Sequence, residues 1–188
     1  ETIVAAGATY IANNTHSIGY LSGAGSVVLN QGVTLTEGID NGTSTFSGVI
    51  SGAGNLIKAG TGTLTLSGDN TFTGFTQIDA GVLSVSKIAD AGVASSIGAA
   101  SASASNLVFN GGTLLYTGSA ASTNRGFSIA SAKTATINLS AANLTVSGAV
   151  PATTGALTKL GPGRLILSGG AGYSGATTIS AGDLEISG

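Results

Sequence analysis

Gly54-Asn55-Leu56-Ile57-Lys58-Ala59-Gly60-Thr61-Gly62-Thr63-Leu64-Thr65-Leu66-Ser67-Gly68 returns 101 residues later as Gly155-Ala156-Leu157-Thr158-Lys159-Leu160-Gly161-Pro162-Gly163-Arg164-Leu165-Ile166-Leu167-Ser168-Gly169. The register then holds without a gap: Phe72 falls on Tyr173, Gly74 on Gly175, Thr76 on Thr177, Ile78 on Ile179, Gly81 on Gly182, Leu83 on Leu184 and Val85 on Ile186. Self-similarity of this length marks a repeat architecture, in which one supersecondary unit buries its apolar face only against its neighbours. Related strands, Thr45–Ile50 and Thr145–Val150, precede the two copies one residue out of register, and a looser relative spans Leu21–Leu29.

Inside the copies, apolar residues alternate with Thr and Ser, as they do in Val33–Thr36, Thr134–Leu139 and Asn143–Ser147. A period of two is a strand with one face in and one out. The runs last four to six residues and stop at Gly, Asn or Asp, which tolerate turns and positive φ. No segment sustains a 3.6-residue period, so the chain reads as all-β. The intervals are too short for crossover helices and lack a consistent hairpin signature. A coil winding forward satisfies them, each strand pairing in parallel with the one above and below.

The reading is therefore a single-stranded right-handed parallel β-helix over 1–188, with repeat copies at 54–86 and 155–187 and a low-complexity insertion at 87–105. Turns of about 20–25 residues give roughly eight of them and a rod of about 40 Å. Leu64, Leu66, Ile78, Leu83 and Val85, with Leu165, Leu167, Ile179, Leu184 and Ile186, are predicted to point inward and to be buried. The insertion, rich in Ala and Ser, should bulge from the rod as a loop with a helical turn near Ala89–Val93.

Composition narrows the function. The 188 residues carry a net charge of −2, and Lys58, Lys87, Arg125, Lys133, Lys159 and Arg164 are scattered, which argues against nucleic acid as a partner. With no Cys, disulfides, thiolate metal sites and cysteine nucleophiles drop out. Mean hydropathy is positive at +0.43, yet Gly, Ser, Thr or Asn interrupts every apolar run, so no membrane helix is written in it. Starting at Glu1 without a signal peptide, the chain reads as an excised fragment.

Chemistry is sparse. His16, the one histidine, lies in the turn-like run Asn13–Ser17 and reads as a solvated turn residue, since a triad needs a base held between nucleophile and orienter. Asp183 and Glu185 flank Leu184 about 7 Å apart on the outward side. That spacing would admit glycosidic acid–base chemistry, but charges guarding an edge strand are the simpler reading. Glu37, Asp40, Asp69, Asp79 and Asp90 read as turn formers. No catalytic, cofactor-binding or metal-ligating residue is assigned, and no cofactor is expected. The pairs Thr34/Thr36, Thr63/Thr65 and Thr134/Thr136 raise an ice-binding array, but they do not recur at a fixed period.

The pattern Gly-x-Leu-x-Lys-x-Gly-x-Gly-x-Leu-x-Leu-Ser-Gly, followed by aromatic-x-Gly-x-Thr-x-Ile and Ala-Gly-x-Leu, resembles the passenger-associated transport repeat of autotransporter proteins. Asn110–Gly118 with Asn124-Arg125-Gly126-Phe127 resembles the spacer between such repeats. The resemblance implies a β-helical passenger of a Gram-negative bacterium, extracellular or at the cell surface, delivered by a C-terminal translocator barrel of the parent protein. It implies a structural and adhesive, non-enzymatic role, with repeats that aid outer-membrane translocation and folding. Partners would be glycans or proteins of host or neighbouring cells, with end-to-end or lateral self-association. The alternative is a fragment of a β-helical polysaccharide-active enzyme, whose groove should cluster Arg, Lys and Asp across neighbouring turns.

Overall fold

A computed structural model describes residues 1–188. It holds short strands of two to six residues and a single 3-10 turn, Ala104–Asn106. Every strand pair is parallel, and the chain visits three faces in a fixed cycle.

The first face is one nine-stranded sheet: Thr2–Val4, Leu21–Gly23, Ser44–Phe46, Thr63–Leu66, Val82–Val85, Thr113–Tyr116, Thr134–Leu139, Ala156–Leu160 and Thr177–Ile179. The second carries Thr9–Ala12, Ser26–Leu29 and Val49–Gly52, then, after an irregular stretch, Ala121–Thr123, Leu144–Val146, Leu165–Leu167 and Leu184–Ile186. The third runs from His16–Ile18 through Thr34–Glu37, Asn55–Lys58, Thr76–Ile78 and Leu107–Phe109 to Ser128–Ile129, with Val150–Thr153 and Ala171–Tyr173 completing it. Nine passes over the first face make this a β-solenoid of about nine turns, one more than a 20–25-residue turn predicts. Many turns are shorter: Thr63 pairs with Val82, 19 residues on.

The alternation decides what goes inside. Leu64, Leu83, Leu114 and Ile137 stack in one inward ladder, and Leu66, Val85, Tyr116 and Leu139 in the next, all buried. One apolar core of 34 buried residues runs through the rod. Burying each such Leu or Ile contributes up to about 1.5–3 kcal/mol, an upper bound set by an extended unfolded chain. Corners bring backbones together: a Cβ on Gly48 would lie 1.8 Å from the Gly25 carbonyl oxygen, so only glycine fits there.

Seven of the ten predicted inward residues are buried, and three on the ninth turn are not. Ile179 is 51% and Ile186 48% exposed, and Leu184 is half-buried. Their register is still inward, opposite Lys159, Leu167 and Leu165. In a solenoid a side chain is covered by the turn above as well as by the one below, and nothing in this chain covers the far side of turn nine.

The two copies keep their internal pairing but change face. Leu64 pairs with Leu83 as Leu165 pairs with Leu184, and Leu56 pairs with Thr76 as Leu157 pairs with Thr177. Yet Asn55–Lys58 lies on the third face and Ala156–Leu160 on the first, while Thr63–Leu66 lies on the first and Leu165–Leu167 on the second. The 101-residue offset is therefore four turns and one further face. The shift is visible in Thr134–Leu139, which pairs through Thr136–Leu139 with the turn below and through Thr134–Asn138 with the turn above.

Residues 87–105 do not hang free. Ile88, Ile97 and Ala100 pack inward, and Ser95 and Ser96 are buried. Polar hooks replace the missing ladder: Asn70 bridges Ser95 antiparallel and donates its amide to the Ser96 carbonyl at 2.9 Å, and the Thr76 hydroxyl donates to the Ile97 carbonyl. No helical turn forms at Ala89–Val93, where the Val93 N–H closes a turn onto the Asp90 carbonyl.

Candidate functional site

Charge is absent from the outside of the first face. Along its nine strands the one ionisable side chain other than Tyr116 is Lys159, which points inward and is buried, as Tyr116 is. One outward column reads Thr63, Val82, Thr113, Thr136, Thr158, Thr178, each residue the register partner of the next. The column is invisible as a sequence period because 31 residues separate Val82 from Thr113, adjacent turns in space. Thr45, Thr65, Ser84, Leu115, Asn138 and Leu160 form the column beside it. Its Leu and Asn members break any two-column threonine array. What results is an uncharged surface, mostly of threonine hydroxyl and methyl groups with Val82, Leu115, Asn138 and Leu160 among them and Ser84 buried, with strands spaced about 4.8 Å from turn to turn.

The exposed charges lie elsewhere, singly or in pairs. Lys87 pairs with Asp69 at 2.9 Å, and Arg164 pairs with Glu185. Glu185 is thus engaged across turns by an arginine. Asp79 accepts from the Gln77 and Asn110 amides at 2.7 and 3.0 Å. No three His, Asp or Glu side chains converge.

Two residues sit differently from the sequence expectation, and a third, Arg125, carried none. His16 is not in a solvated turn: it opens the strand His16–Ile18 opposite Leu35, its Nδ1 lies 2.7 Å from the Asn14 carbonyl, and its Nε2 meets the Tyr10 hydroxyl. Burial raises the Tyr10 pKa above its ordinary value. Glu37 is no turn former but closes the strand Thr34–Glu37 with its side chain in the core. Its Oε1 accepts from the Ser44 hydroxyl at 3.2 Å and its Oε2 has no partner. Arg125, in the spacer-like segment, is buried without a carboxylate and donates to the Ile97 and Gly98 carbonyls. Burial lowers its pKa, and it borders a cavity of about 20 Å³ lined mainly by apolar residues such as Ile88, Phe109 and Ile137.

Buried Lys58 and Lys159 are the features that sequence reading missed. Lys58 Nζ donates to the carbonyls of Ala59 and Gly60, the latter at 3.1 Å. Lys159 Nζ donates to Leu160 at 2.7 Å, Gly161 at 2.8 Å and, one turn on, Ala181 at 3.2 Å. Burial lowers both pKa values, opposed at Lys58 by Glu37 and at Lys159 by Asp183. The available signal was the strand alternation, which puts both lysines in phase with Leu56 and Leu157.

Comparison with known proteins gives two matches. The family model of the passenger-associated-transport-repeat matches residues 56–85 and 157–186. The Adhesin BmaC autotransporter of Brucella suis biovar 1 (strain 1330) is 46% identical over 116 residues, 61% of this chain and 3% of that protein. The chain thus spans a small fraction of the length of the curated relative it matches. No solved structure matches it.

Proposed function

We propose that this chain, a segment of autotransporter passenger carrying two passenger-associated transport repeats, is a non-enzymatic scaffold with an adhesive long side, working outside the cell or at its surface. The observation that carries the reading is the first face: nine strands without interruption and no outward charge. Such a surface is ruled at a constant spacing, is rigid because every inner strand is paired on both sides, and presents contact area rather than a pocket. Its partners are glycans or proteins of host or neighbouring cells. In the parent protein a C-terminal translocator barrel delivers the passenger, and the two repeats are the units that fold as the chain emerges. The matched relative is named as an adhesin, which supports the same role.

The experiment is a screen of the purified segment against immobilised glycans and extracellular-matrix proteins. Binding is expected, and Thr136→Glu with Thr158→Glu, outward changes that spare the core, should abolish it. Products released from a polysaccharide by the same preparation would replace the adhesive reading with the enzymatic one.

A further inference from the structure

Lys58 and Lys159 occupy the same position of the two repeats, and both are fully buried. They lie on different faces of the rod, with different neighbours: Glu37 is the register partner below Lys58, whereas Ile137 lies below Lys159. Yet each ammonium takes the same local acceptors, the carbonyls of the next residue and of the glycine after it. Those glycines, Gly60 and Gly161, both have positive φ, +60° and +76°, a conformation that lets the corner turn sharply. The clamp therefore travels with the repeat and not with the face. A buried ammonium without these carbonyls would carry a large desolvation cost, so the corner must form where the lysine is.

Corners in turn align turns. A Cβ on Gly182 would lie 2.5 Å from the Gly161 carbonyl oxygen, and one on Gly81 would lie 2.6 Å from that of Gly60, so successive corners are in backbone contact. Apolar alternation alone is blind to a two-residue slip, which returns every Leu and Ile to the inside. Lys159 adds its bond to the Ala181 carbonyl of the next turn. We propose that Lys58 and Lys159 are the register-setting residues of the two repeats, each locking a corner and through it the alignment of the turn stacked above. The proposal rests on reading the repeats as folding units, and it is tested on purified protein, independently of any binding partner.

The chain has no cysteine, so introduced pairs report register cleanly. Thr158 and Thr178 are outward register partners about 4.8 Å apart, within disulfide reach, while Thr158 and Ser180 represent a two-residue slip at about 8 Å, beyond it. With Lys159 present, Thr158→Cys with Thr178→Cys should cross-link on oxidation and Thr158→Cys with Ser180→Cys should not. In the Lys159→Met background the slipped pair should cross-link comparably to the native one, and Lys159→Arg, which keeps donors, should restore exclusivity. In the first repeat, Ile57→Cys with Gln77→Cys against Ile57→Cys with Asp79→Cys reports the same for Lys58→Met. Native-only cross-linking in both methionine backgrounds would overturn the proposal. So would loss of amide protection over 156–179 without any slipped cross-link, because the lysine would then serve stability and not register.

Discussion

Glu37 lies directly beneath Lys58 inside the rod: the two are register partners on adjacent turns, both fully buried, and one carboxylate oxygen has no hydrogen-bond partner. They are not in direct ion-pair contact; Lys58 spends its protons on the corner carbonyls and Glu37 accepts from Ser44 and weakly from the Leu21 N–H. Burial dominates at both, raising the glutamate pKa above 4.5 and lowering the lysine below 10.5.

The folded chain therefore holds the Glu37 proton more tightly than the unfolded chain does. Its contribution to stability is fully present below the unfolded value near 4.5 and is lost as pH rises through the raised folded value. Melting temperature should fall as pH is raised from about 4.5 toward neutrality, and Glu37→Gln should flatten that fall. Parallel pH profiles for the two proteins would show that Glu37 does not control it.

Leu165 and Leu167 are buried on the eighth turn, well separated from the first repeat copy. Replacing both with Asp buries two unpaired charges, each costing several kcal/mol unless it takes up a proton. Solenoid stability is close to a sum of turn and neighbour terms, so the C-terminal turns should unfold while 54–86 stays protected. Hydrogen exchange checks this, and uniform loss of protection would mean that the rod is one cooperative unit.

Asn70 is fully buried; its side-chain oxygen accepts from the Ile50 N–H at 2.8 Å while its amide donates to Ser96. Asn70→Ala leaves both backbone groups without partners, at about 1–3 kcal/mol each. The loss should appear first in 95–98, where hooks stand in for a ladder. Exchange at Ser95 and Gly98 that is no faster than in the parent chain would contradict it.

Ile179 and Ile186 present apolar surface beside the unpaired edges of the ninth turn. Open edges and exposed apolar side chains invite end-to-end stacking, so light scattering should show association that grows with concentration. Ile179→Thr with Ile186→Ser should weaken it. A strict monomer at millimolar protein would count against the idea.

The period-two alternation and the ungapped repeat were enough to read strands, a parallel coil and the inward set around Leu64, Leu83 and Leu165, because those features depend on residues close in sequence or on one internal comparison. The buried state of Glu37, Lys58, Arg125 and Lys159 was not read, although the strand phase of Glu37, Lys58 and Lys159 was visible, since a charge enters a core only when particular partners receive it: carbonyls for the lysines and the arginine, the Ser44 hydroxyl and the Leu21 N–H for the glutamate. Only stacking could reveal the Thr63-to-Thr178 column, because the long interval from Val82 to Thr113 erases its sequence period while leaving the spatial period intact. The rotation of the second repeat by one face was likewise a tertiary decision: local pairing within a copy is indifferent to which face it occupies, and the turns between the copies set the phase.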